Sequence, residues 1–156
     1  MKSDLFQIVF LSVFSIFSIP ILIIDIRSRR IPDILSLGGC ATILAFLALV
    51  SPQSLLPNTL TAFFAAALFY CVRHFTRGLG LGDVKLAGFI AFFLGPVGSL
   101  FAFPISATAG LLYALYTVGI RKTSTKERIP YAPFLIGGAY AGYVAVWLGM
   151  DRVLFW

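Results

Sequence analysis

Long apolar stretches recur from one end of this chain to the other, separated only by short charged or proline-rich segments. Away from water every backbone N–H and C=O must be satisfied within the protein, and a helix does this within its own length. Of the 156 residues, 60% are hydrophobic, and the mean hydropathy is +0.98. Ordinary soluble domains are nearer ~45–50% apolar. A cleaved secretory signal does not account for apolar segments spread over the whole chain. No polar stretch is long enough to fold alone. The expectation is therefore an all-α, polytopic membrane protein with about six transmembrane helices, residues 1–156 forming one integral-membrane domain.

The breaks between spans can be read from charge and proline. A helix needs roughly 20 residues to cross the hydrocarbon core. Leu5 to about Ile24 reads as a first span, with Pro20 near its end, and Ile34 to Val50 as a second. Residues 51–58 read as an uncharged turn whose two prolines resist helix continuation. A third span is expected from about Thr59 to Val72 and a short fourth from Val84 to Gly95. Gly95-Pro96-Val97-Gly98 should end it. A fifth span runs from about Ser99 to Ile120, and a sixth follows Ile129-Pro130-Tyr131-Ala132-Pro133 and reaches about Met150.

The net charge of +6 comes from 12 Lys and Arg against 6 Asp and Glu. In a soluble chain such an excess would suggest nucleic acid. Here the basic residues sit in loops between spans, so no nucleic-acid partner is expected. Ten of the twelve (Arg27, Arg29, Arg30, Arg73, Arg77, Lys85, Arg121, Lys122, Lys126 and Arg128) follow the odd-numbered spans. Basic loops favour the cytoplasm. The expected location is the cytoplasmic (inner) membrane, with both termini outside and Asp25 and Asp83 on the cytoplasmic face.

Those two aspartates are the candidate chemistry. Gly78-Leu79-Gly80-Leu81-Gly82-Asp83-Val84-Lys85 carries glycines at alternate positions into a carboxylate, and Asp25 lies in Ile24-Asp25-Ile26-Arg27. A carboxylate set among apolar spans is costly without a partner or a task. Two carboxylates sharing a site do not ionise together easily, so one keeps its proton. Such a pair can activate a water as general base and protonate a leaving amine as general acid. Each residue also has a structural reading. Asp25 would be an interfacial residue paired with Arg27 or Arg29, and Asp83 a helix cap or first-turn acid. The helix dipole would make Asp83 the ionised base and leave the proton on Asp25. Cys40 and Cys71 lie in apolar stretches without metal-ligand spacing, so neither a metal nor another cofactor is expected. His74, the sole histidine, has no nucleophile beside it in sequence.

Gly80-Leu81-Gly82-Asp83-Val84-Lys85, together with Asp25 and the downstream Pro32-Asp33, resembles the prepilin peptidases, the G-x-G-D membrane aspartyl proteases that process type IV pilin-like precursors. Ile129-Pro130-Tyr131-Ala132-Pro133-Phe134 is similar to the I-P-F-G-P-[FY] stretch of the bacterial members, with Tyr131 for Phe and Ala132 for Gly. The resemblance implies that Asp25 and Asp83 are the catalytic pair, with Gly80, Gly82, Lys85, Pro32, Pro130 and Pro133 supporting the motifs. It implies as partners prepilin or pseudopilin precursors with a short basic leader, cut at the cytoplasmic boundary, and membrane lipid around the helices. Only four residues precede the first span, so the chain resembles the short peptidase-only forms, the preflagellin and tight-adherence prepilin peptidases, without methyl transfer. Asp33 is expected to cap the second helix, and Lys85 to snorkel or balance charge. The alternatives are a presenilin-like intramembrane protease, a small transporter or proton relay using the same carboxylates, and a non-catalytic assembly factor.

Overall fold

The structure is a computed structural model that describes residues 2–28, 31–76, 79–119 and 130–149. Five helices are formed: α1 (Lys2–Ser28), α2 (Asp33–Val50), α3 (Leu55–Thr76), α4 (Leu81–Gly119) and α5 (Ala132–Trp147). A single 3-10 turn, Pro52–Ser54, joins α2 to α3. No strand is present among the described residues. The spans Gln7–Ser28, Asp33–Val50, Pro52–Phe75 and Leu81–Thr117 are long and apolar enough to cross a membrane, and α5 is a shorter apolar helix. The protein is a multi-pass membrane protein.

Helix α4 is two crossing segments. Gly95 breaks it with φ 66° and ψ −170°, a region open essentially to glycine alone. Before the break, Gly88 faces Ala62 and Ala66, and Gly95 faces Asn58, so the arm 81–94 runs antiparallel to α3. After it, the Phe103 ring meets that of Phe69 with centroids 5.3 Å apart. A straight helix at 1.5 Å per residue would carry Phe103 about 12 Å beyond Asn58, away from Phe69. The chain instead doubles back, and the arm 96–119 descends along α5, with Gly98 beside Gly142 and Gly110 beside Tyr131. Among the described residues six helical segments result, one helix supplying two of them, while four helices are long and apolar enough to cross a membrane against about six expected.

The turn at Gly95 has its own support. Pro96 has no N–H to return to the carbonyl of Phe92, four residues back. Asn58, itself buried, donates to that carbonyl from Nδ2 at 2.8 Å. The arm 81–94 is only about 21 Å long, short of a ~30 Å hydrocarbon core. Phe92 is itself buried, so its carbonyl depends on this partner. Asn58→Ala should lower stability by about 1–3 kcal/mol, the cost of an orphaned buried carbonyl. Thermal unfolding in detergent reads this directly, and a variant melting like the parent would deny Asn58 that role.

Three boundaries differ from expectation. Helix α1 continues through Pro20 to Ser28, so Asp25 lies inside its last turn. Helix α3 begins at Leu55, before Thr59, because Pro52 and Pro57 fall in first turns, where the missing N–H costs no helical bond. Helix α4 starts at Leu81, which puts Asp83 in its first turn.

The core is aromatic where α1, α4 and α5 meet. Phe14 and Phe93 stack with centroids 4.1 Å apart, and Phe10 and Tyr143 extend the stack from Phe93 at 4.7 and 5.4 Å. Polar hydroxyls seam α5 to α1: Tyr140 Oη donates to Ser15 Oγ at 2.9 Å and lies 3.1 Å from Ser18 Oγ. Tyr143 Oη donates to the Gln7 carbonyl at 2.7 Å. This seam runs from Gln7 toward Asp25 and fixes the height of α5 against α1.

Candidate active site

The two ends of the bundle are built differently. The end holding Gln7, Ser51, Ser54, Asn58 and Tyr143 surrounds a cavity of about 270 Å³ with no charged side chain in its lining. The opposite end gathers Asp25, Asp33, Arg73, Asp83 and Lys85, and it is here that the three sequence motifs converge.

Asp25 is brought by the last turn of α1 and is 5% exposed. The backbone N–H of Ala132, in the open first turn of α5, hydrogen-bonds its carboxyl. Its Oδ2 is buried with no hydrogen-bond partner. Arg27 is exposed, and among the described residues no ion pair is made to Asp25. The pairing with Arg27 is therefore not formed, and Arg29 lies outside the described residues. The first turn of α5 replaces it: Pro133 fills an early position where no N–H is missed, while Pro130 and Tyr131 lead the chain in.

Asp83 is the third residue of α4 and is half-buried. Its Oδ2 accepts the Gly80 N–H at 2.9 Å, the reach-back half of a capping box. The structural reading of Asp83 as a first-turn acid is thus realised. The same bond fixes the direction of the carboxylate, which lies within electrostatic reach of Asp25. Gly82 is needed for close approach, since a Cβ there would stand 3.0 Å from Cβ of Ile31. Ile31 and Pro32 thereby close the α1–α2 turn over the start of α4. Tyr131 stands beside the pair. Burial, and then the charge of Asp83, push its phenol above the ordinary value.

Asp33 does not cap α2. The capping position is Pro32, and no side chain caps the helix. Asp33 sits one residue further in, where a negative charge suits the dipole, and accepts from Lys85 Nζ at 2.7 Å. Both side chains are about half exposed (47% and 58%), so the bridge contributes little to stability. It does tie α2 to α4 and commits Lys85 to Asp33. His74 is exposed, its ring edge-on to Phe75. Of the cysteines, Cys71 is exposed and Cys40 half-buried. Gly78, Arg30, Arg77 and the basic loop 121–129 lie outside the described residues.

Sequence reasoning missed Arg73 as part of this site. From the last turn of α3 its guanidinium donates to the Leu79 carbonyl at 2.8 Å, and its charge also acts on Asp83. The available signal was an Arg a few residues before the glycine turn, within reach of its backbone.

The sequence model of the type IV leader peptidase family matches residues 12–115. That match runs over more than half of the chain and contains both aspartates and the glycine turn. The chain belongs to the type IV leader peptidase family, and so is a membrane peptidase. No curated protein and no solved structure matches it.

Proposed function

We propose that this protein is an aspartic endopeptidase that removes the short basic leader from type IV pilin-like precursors at the cytoplasmic face of the membrane. The observation that carries the reading is the convergence of Asp25 and Asp83 from separate motifs at the end of an apolar bundle that also holds Arg73 and Lys85. Each carboxyl is held by a backbone N–H, from Ala132 and Gly80 respectively. The clustering of charge at that end favours the cytoplasmic side.

Asp83, close to the Arg73 charge and opening a helix, is the ionised general base that takes a proton from water. Asp25, near a helix C-terminus with a buried and unpartnered Oδ2, holds the shared proton. It donates that proton to the scissile carbonyl as water attacks. The amine then leaves with the proton Asp83 took from the water, while Asp25 recovers a proton from the gem-diol hydroxyl as the new carboxyl forms. The N-terminus of α5 facing Asp25 stabilises the charge left there once the proton has gone.

The test is cleavage of a precursor whose basic leader joins an apolar helix, using purified protein in detergent. A product shortened at the membrane end of the leader, formed without S-adenosylmethionine and without an added methyl, is the expected result. An intact precursor under conditions where the enzyme stays folded would argue for a transporter or an assembly role instead.

A further inference from the structure

One peptide plane is held from both sides. The peptide joining Leu79 to Gly80 accepts from Arg73 through its carbonyl oxygen at 2.8 Å. Through its N–H it donates to Asp83 Oδ2 at 2.9 Å. Hydrogen bonds in series polarise one another, and a cation on the carbonyl makes the N–H of the same amide a stronger donor. The other cation near the start of α4, Lys85, is engaged by Asp33.

We infer that Arg73 is a positioning residue for leader cleavage. Through the Leu79–Gly80 peptide it holds the glycine turn in the shape that aims Asp83 toward Asp25, and it favours the ionised form of Asp83.

Among the described residues the groups acting on Asp83 are Asp25 from α1, Arg73 from α3 and Tyr131 at the head of α5, and the Asp33–Lys85 pair lies near the start of the same helix. Asp25 carries a like charge when ionised, and Tyr131 is neutral near pH 7. The paired Lys85 is largely offset by Asp33. Of the described cations acting on Asp83, Arg73 is thus the one without an acidic side chain bound to it, and its reach to Asp83 runs through a fixed amide. A purely structural clamp on the Leu79 carbonyl would need only a donor. The relay needs the charge as well, and this separates the two roles.

The inference rests on the proposed peptidase reading only for its consequence in catalysis, so its test does not use cleavage. Asp25→Asn leaves Asp83 as the carboxyl of the pair, and infrared difference spectra across a pH series follow its titration in the purified protein. Adding Asp83→Asn identifies the band. In that background Arg73→Gln keeps a donor for the Leu79 carbonyl and removes the charge. The Asp83 midpoint should rise by about one pH unit, a tenfold change in proton affinity. Arg73→Lys keeps the charge without the planar fork, and the midpoint should rise by less. An unchanged midpoint in a folded Arg73→Gln protein overturns the inference, whether or not the wild type cuts any precursor. If Arg73→Gln does not fold, Arg73→Met, which keeps the unbranched stem and removes the charge, carries the test: a rise supports the relay, and an unchanged midpoint overturns it. His74→Gln, one residue away and exposed, is the control, and a rise there equal to that in Arg73→Gln also overturns it.

Discussion

Asp25→Asn and Asp83→Asn should each reduce precursor cleavage by about 10²–10⁴-fold, the range that one positioned acid or base contributes. Both proteins should remain folded in the membrane. An Asn at 83 still presents a side-chain oxygen to the Gly80 N–H, so the reach-back bond at the start of α4 survives. An Asn at 25 likewise still accepts from Ala132. What each change removes is the ability to exchange a proton while the neighbouring geometry is kept. Asp83→Ala would confound the two effects, because losing a helix-terminal bond costs about 1 kcal/mol in its own right. The measurement is the initial rate against precursor concentration, with helix content and detergent-solution behaviour recorded for each variant. Near-normal turnover by either Asn protein would exclude the acid–base pair. In the parent enzyme the two groups should titrate as a coupled unit and give a bell-shaped profile whose apparent values belong to the pair.

Much of this arrangement was legible in the sequence, for identifiable reasons. A hydrophobic span flanked by arginines or prolines declares itself locally, so the all-α, multi-pass architecture and the order of its apolar segments followed from composition along the chain. The aspartates stood out because a carboxylate among apolar spans demands explanation. Pairings that depend on long-range contact did not show. Asn58 read as a polar residue in a proline-rich turn, yet its partner is the carbonyl of Phe92, 34 residues away. Asp33 had the position of a cap, but the extended Pro32 took that place, and Lys85, 52 residues on, took the carboxylate. Arg73 looked like one more residue orienting the bundle. Its second role depends on where the Leu79 carbonyl points, which is set by the glycine turn in three dimensions. The glycines of α5 also read alike in sequence, although their surroundings differ sharply.

That difference gives the largest stability effect expected outside the carboxylate pair. Gly137→Ala should be neutral or mildly stabilising, and Gly142→Leu should destabilise by about 3 kcal/mol. A Cβ added at Gly137 meets nothing within 4 Å, and alanine is favoured over glycine inside a helix by up to about 1 kcal/mol. A Cβ at Gly142 would lie 2.6 Å from the Gly98 carbonyl oxygen and 3.0 Å from the Ala102 nitrogen. Both contacts are backbone atoms of the descending arm of α4, so no side chain can turn aside. Small residues are what let two helices approach this closely in a membrane, and forcing extra volume between them usually costs about 1–3 kcal/mol, sometimes more. Leucine at 142 must push α5 off α4, and that displacement reaches the site. The helix that carries Gly142 also carries the Ala132 N–H held on Asp25, and the Tyr140 bonds to Ser15 and Ser18 tie it to α1. Cleavage should therefore fall in Gly142→Leu even at temperatures where the variant is still folded, while Gly137→Ala keeps the parent's rate. Thermal unfolding in detergent and cleavage at a temperature below both midpoints read the two effects separately. Equal melting of the two variants would show that the α4–α5 contact is looser than the 2.6 Å approach implies.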